Sequence, residues 1–96
     1  MNGDHVVRCS EKGCQESAAY KIAAPWTDGR YWELKTYGFS CADHVRDVLR
    51  SAEIRWLDYE PVKGEAVHEI GIYQFEPGKG DRNLRRDLDI EETLRS

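Results

Sequence analysis

Two stretches near the front of the chain, residues 18–24 and 31–37, are rich in aromatic and branched side chains. Between them Pro25, Trp26, Thr27, Asp28, Gly29 and Arg30 supply turn chemistry. In the first stretch Tyr20 and Ile22 fall on one face. In the second, Trp32 and Leu34 oppose the charged pair Glu33 and Lys35. This period of two is that of half-buried strands, and the two stretches predict a β-hairpin with Trp32 and Leu34 toward a core. The period then changes. Val45, Val48, Leu49, Ala52 and Trp56 recur at helical spacing, behind Ser40 as a cap and Asp43 as its capping-box partner, which predicts a helix over 41–57 with Trp56 on its buried side. A loop with Pro61 follows over 58–64. Residues 66–75 then predict a third strand, with Val67, Tyr73 and Phe75 on one side and Ile70 and Ile72 on the other.

The ends carry less pattern. Residues 1–5 have no periodicity and are expected to be loose. From Pro77 onward Gly78, Gly80 and alternating charges dominate, and Leu84, Leu88, Ile90 and Leu94 are widely spaced. Residues 77–96 are expected to be a flexible tail, or a short helix that docks on a partner. This leaves 6–76 as a single domain of α+β class: a knuckle, a hairpin, one helix and a third strand.

Composition makes that domain's stability a problem. With 96 residues, 40% of them hydrophobic and 33% charged, the core must be thin, and thin cores need a staple. Cysteine is the obvious source, but there are three, an odd number, and no apolar leader precedes them. The expectation is an intracellular, cytoplasmic protein without a disulfide framework. No run of about 18 apolar residues suggests a membrane-spanning helix. The net charge of −4 disfavours a surface built mainly to neutralise phosphates.

The cysteines fall at ligand spacing. Cys9 and Cys14 flank Ser10, Glu11, Lys12 and Gly13, a composition suited to a tight turn that directs both sulfurs inward, with Gly13 free to take positive φ. Cys41 and His44 lie three apart at the start of the predicted helix, on one side of it. Two short-spaced pairs of thiolate and imidazole donors are what a tetrahedral structural zinc site requires. The expected cofactor is one Zn²⁺ per chain held by Cys9, Cys14, Cys41 and His44. His5 and His68 are the alternatives for the fourth position.

A knuckle, then a hairpin, then a helix whose first turn supplies the last two ligands resembles the treble-clef zinc finger. The resemblance covers residues 6–57. It implies that Cys9 and Cys14 match the knuckle ligands and Cys41 and His44 the helix ligands. Treble-clef domains serve protein contacts, nucleic-acid contacts and, occasionally, catalysis, so the resemblance does not choose among them.

Four protein ligands leave a zinc ion no open position, and no catalytic motif stands elsewhere in the chain. The expectation is a non-enzymatic domain that contacts another protein. Trp26 and Tyr31, flanking the hairpin turn, are candidate anchors for that contact or alternatively cover the small core. A nucleic-acid-binding finger is the alternative; it needs Arg46, Arg50 and Arg55 along one phosphate track, against the dilution of Asp43, Asp47 and Glu53. A thiol-based redox switch is a further alternative. Lys79, Arg82, Arg85 and Arg86 form a second basic cluster, interleaved with Asp81, Asp87 and Asp89. It reads as a solvated face, and Gly78-Lys79-Gly80 as a plain turn.

Overall fold

The structure, a computed structural model, describes residues 7–80 and 83–95. His5, Asp81 and Arg82 lie outside the described residues, as does the expected looseness of 1–5. The described chain runs β1 (Tyr20–Thr27), β2 (Trp32–Ser40), α1 (Val45–Asp58), β3 (Ala66–Val67), β4 (Gly71–Gln74) and α2 (Leu88–Arg95). The four strands form one antiparallel sheet: β1 is central, β2 lies along one side, and β3 and β4 follow one another along the other.

The hairpin turn is tighter than the sequence predicts, because β1 continues through Pro25 and Trp26 to Thr27. Proline removes a donor and is tolerated in a sheet only where no ladder bond is lost. Pro25 meets that condition. Its carbonyl accepts the His68 N–H at 2.8 Å, so its nitrogen also faces the irregular stretch between β3 and β4. The turn itself is an Asx turn. Asp28 Oδ1 accepts the N–H groups of Arg30 and Tyr31, both at 2.8 Å, and Gly29 takes φ 94°.

Two irregularities in register decide which side chains meet. Ile22 pairs with Gly38 but Ala23 pairs with Thr36, so Tyr37 is an extra residue in β2. This bulge brings both Tyr37 and Gly38 toward α1. At Gly38 a Cβ would lie 2.9 Å from Val48 Cγ1, which means that the helix packs directly on backbone. The predicted third strand is broken in two. Trp26 pairs with Val67 and Ala23 with Gly71, a slip of one residue that moves Val67 to the same side as Ile70 and Ile72. The expected grouping of Val67 with Tyr73 is therefore corrected: a single-residue slip in a strand exchanges its faces.

The main core lies between the sheet and α1: Ile22, Ala24, Tyr37, Ile70 and Ile72 meet Val45, Val48, Leu49 and Ala52. Across the sheet, Ala23, Leu34 and Tyr73 form a smaller cluster with Leu84 against it. Trp56 packs on the main core as expected, its indole N–H donating to the His68 carbonyl at 3.0 Å. Trp32 does not follow Leu34 inward. It opens β2 beside the turn and is 44% exposed, whereas Leu34 is 4% exposed. No helix among the described residues is long and apolar enough to cross a membrane.

Beyond Pro77, residues 84–95 dock on the chain's own sheet. Residues 85–87 run beside β4, with Gln74 N–H donating to the Arg85 carbonyl and Asp87 N–H to that of Ile72. Asp87 then caps α2 through Oδ1 and the Ile90 N–H, and Ile90 and Leu94 pack on the main core. The Glu91 side chain, almost wholly buried, takes Arg86 Nε and the Ile72 N–H on one oxygen, at 2.8 and 2.9 Å. Arg86 also reaches Glu91 Oε1 and Glu69, both at 2.8 Å. Burial pushes the Glu91 carboxyl up, but Arg86 and the Ile72 amide outweigh it and hold it below its ordinary value.

The clasp depends on Gly71, where a Cβ would stand 2.6 Å from Arg86 Nε and 3.0 Å from Glu91 Oε2. Gly71→Ala is expected to displace Arg86 and cost about 1–3 kcal/mol in urea unfolding, with faster amide exchange in α2; unchanged exchange there would mean that the Arg86–Glu91 contact does not hold α2. Acid should act on the same contact. Because the folded pKa of Glu91 lies below 4.5, its contribution is present above that pH and is lost as pH falls through the depressed folded value. Exchange protection of α2 is expected to weaken below pH 4.5 in the native chain, and Glu91→Gln to lack that acid dependence.

Candidate metal centre

Three segments converge at one end of the sheet. Residues 7–18 form a narrow loop closed by Cys9 N–H to the Glu16 carbonyl at 2.9 Å and Ala18 N–H to that of Val7 at 2.8 Å. At its tip Cys14 N–H donates to the Glu11 carbonyl at 3.0 Å, and Gly13 has the expected positive φ, 84°. The loop is pinned to the end of β2 by Ser10. Its N–H donates to the Phe39 carbonyl at 2.8 Å and its Oγ accepts the Phe39 N–H at 2.9 Å. This places Cys9 beside Cys41, two residues beyond Phe39.

The second donor pair sits ahead of the helix rather than in its first turn. Helix α1 begins at Val45, and His44, with φ −112° and ψ 11°, is its N-cap residue. His44 N–H donates to the Cys41 carbonyl at 3.3 Å, closing a turn, and the His44 carbonyl starts the helix by accepting the Val48 N–H at 2.9 Å. The expected capping box is absent, since the Ser40 hydroxyl is buried and donates to the Cys41 carbonyl at 3.0 Å. The turn brings Cys41 Sγ within 3.3 Å of His44 Nδ1, so the short spacing retains its consequence through a different local geometry.

All four donor atoms, one each from Cys9, Cys14, Cys41 and His44, lie within 4.8 Å of one another. Cys14 Sγ is 3.8 Å from Cys41 Sγ, and Cys9 Sγ is 3.9 Å from His44 Nδ1. A tetrahedral ion bound at about 2.3 Å to sulfur and 2.0–2.1 Å to nitrogen has S···S edges of about 3.8 Å and S···N edges of about 3.6 Å. The sulfur pair matches that edge and the two S···N distances bracket theirs. A disulfide would need about 2.05 Å, and all three cysteines are free thiols. These four residues are placed to hold a metal ion.

Electrostatics separates the thiols. At Cys9 burial opposes ionisation, but backbone hydrogen bonds from Cys41 and Glu11 and the neighbouring thiols outweigh it and lower the pKa. At Cys14 a backbone hydrogen bond from Glu16 favours the thiolate. Burial and the adjacent Cys9 and Cys41 sulfurs outweigh that bond and raise its pKa. One negative charge, at Cys9, is accommodated by backbone and thiol hydrogen bonds; further charges repel it, and a bound cation would remove that repulsion.

The other residues singled out from the sequence fall elsewhere. His68 lies beside Trp56, at the opposite end of α1 from Val45, some 16 Å along a helix rising 1.5 Å per residue. Tyr31 is 71% exposed at the hairpin turn, while Trp26 is half-buried, with Tyr59 and Glu65 beside it. Arg46 donates to the Leu94 carbonyl, and Arg55 to the carbonyls of Ser51 and Tyr37. Arg86 is spent on Glu91 and Glu69. The sequence reading missed the Ser10–Phe39 pin, which has no local signature, and the Arg86–Glu91 clasp. Helix α2 did carry a signal, in Asp87 followed by acidic first-turn residues. The chain matches no protein-family model, no curated protein and no solved structure.

Titration of the reduced protein with Zn²⁺ is expected to saturate at about one ion per chain and to release protons from the thiols. A stoichiometry near one half would indicate instead a site shared between two chains.

Proposed function

We propose that this chain is a non-catalytic domain organised around one structural zinc ion and that it serves to contact another protein. The observation that carries the metal reading is the four-donor cluster, three sulfurs and one imidazole nitrogen within 4.8 Å of one another, with the Cys14–Cys41 sulfur pair at the 3.8 Å of a tetrahedral edge. Thiolate-rich ligation favours zinc over harder ions such as magnesium or calcium. Four protein donors close the coordination sphere, whereas a catalytic zinc keeps a position for water or substrate. The ion would tie the Cys9–Cys14 loop to the segment entering α1. The order of loop, hairpin and helix supports a treble-clef-like arrangement of these parts.

The protein-contact reading draws on Tyr31, a large aromatic side chain exposed on a turn held by Asp28. Aromatic side chains on rigid turns lose little conformational freedom on binding and are frequent interface anchors. The engagement of Arg46 and Arg55 with backbone carbonyls weighs against the nucleic-acid alternative, as does the net charge of −4.

Elemental analysis is expected to find one zinc per chain, and chelation to collapse the dispersed proton NMR spectrum, because a structural site contributes on the order of 10 kcal/mol to folding. Cys41→Ala should fail in the same way. A metal-free protein with native dispersion would overturn the metal reading. For the contact, a photo-crosslinking residue at Tyr31 is expected to capture protein in cells, with the same residue at Asp58 as the control. Capture of nucleic acid at Tyr31, or equal capture at both positions, would overturn it.

A further inference from the structure

The three thiols of the metal cluster are not equally accessible. Cys9 and Cys41 are each 6% exposed, while Cys14 is only partly buried. Cys14 Sγ also lies 3.8 Å from Cys41 Sγ, across two segments separated by 26 residues. A small oxidant arriving from solvent therefore meets Cys14 first, with Cys41 as its resolving partner. Resting on the zinc reading above, we infer that peroxide regulates this site by converting its metal staple into a covalent Cys14–Cys41 staple.

The chemistry closes without further reactants. The Cys14 thiolate attacks one oxygen of hydrogen peroxide, breaking the O–O bond and leaving a sulfenic acid and hydroxide. The Cys41 thiolate then attacks the Cys14 sulfur and expels its oxygen as a second hydroxide, forming the S–S bond. Two sulfurs give up one electron each, the peroxide takes both, and two protons from solvent complete two waters. With Cys14 and Cys41 joined, Cys9 and His44 alone would not make a structural site, and a zinc ion held there would be released.

The fold should survive the exchange. The new bond requires the sulfurs to approach from 3.8 Å to about 2.05 Å, a movement within reach of side-chain rotation. It joins the segments that the ion joined: the loop carrying Cys14, pinned to β2 through Ser10, and the turn carrying Cys41. A bond between Cys9 and Cys14 would close only the loop on itself and leave Cys41 and His44 untied. Oxidation would thus release the ion while the sheet and α1 remain assembled, which differs from the collapse expected on chelation under reducing conditions.

Each cysteine lies on its own tryptic peptide, residues 9–12, 13–21 and 36–46, so the bond can be assigned on the native chain without a cysteine variant. The zinc-loaded protein is treated with hydrogen peroxide, released zinc is read with a colorimetric chelator, and peptides are mapped by mass spectrometry. The expected result is about one zinc released per chain, a 13–21 to 36–46 disulfide, and a still-dispersed NMR spectrum that loses dispersion on adding a thiol reductant with chelator. Retained zinc, a bond involving 9–12, sulfinic acid without a disulfide, or unfolding on oxidation would each overturn the inference. Protein that carries no zinc before peroxide is added would instead bring down the underlying zinc reading, and this inference with it.

Discussion

Three sulfur atoms and one imidazole nitrogen lie within 4.8 Å of one another, and that constraint acts on three segments at once. It fixes the loop of residues 7–18, the exit of β2 and the entry of α1 as a single corner. The pairing of Ser10 with Phe39 extends the corner into the sheet, because Phe39 faces Lys21 in β1. From there the bulge brings Tyr37 and Gly38 toward α1, and Gly38 lets Val48 rest on bare backbone. The hydrophobic contacts of α1 are thus downstream of where its first residue is held. Helix propensity alone would not place it there, since a helix of 14 residues is marginal without tertiary contacts.

The parts of this arrangement legible in the sequence are those that local spacing determines. Two donor pairs, each within a short turn, identify the four clustered residues because the geometry of a turn is encoded within it. The glycine conformation at Gly13 and the hydrophobic stripe from Val45 to Ala52 are legible for the same reason. What could not be read is set by register between strands. The bulge at Tyr37 and the slip between β3 and β4 each shift a pattern by one residue, and a period-two signal inverts under such a shift. Val67 changed side for that reason. Trp32 stayed out for another: alternation states a face but not whether anything covers it.

The beginning of α1 shows how a local prediction can give the right neighbours through the wrong geometry. Ser40 followed by Asp43 has the form of a capping box, yet the Ser40 hydroxyl turns to the Cys41 carbonyl and His44 becomes the N-cap residue. The residues 41–44 are thereby released from helical geometry. In an α-helix, donors three apart project from one side at a fixed spacing; in the observed turn they close to 3.3 Å. The polar side chains give up a cap and the donors gain proximity.

Cysteine is common in protein interiors as a small apolar filler, and Cys9 and Cys41 do belong to the main core. Filler cannot account for the whole cluster, however. An apolar contact gives no reason for the His44 imidazole to approach Cys41 Sγ at 3.3 Å, nor for backbone hydrogen bonds to favour the Cys9 thiolate. A core built from such residues carries polar atoms that an equally small alanine would avoid. Together they bring three sulfurs and one imidazole nitrogen to one corner, in a chain of which only 40% is hydrophobic. The groups that make the corner costly as a hydrophobic core are those placed to hold a metal ion.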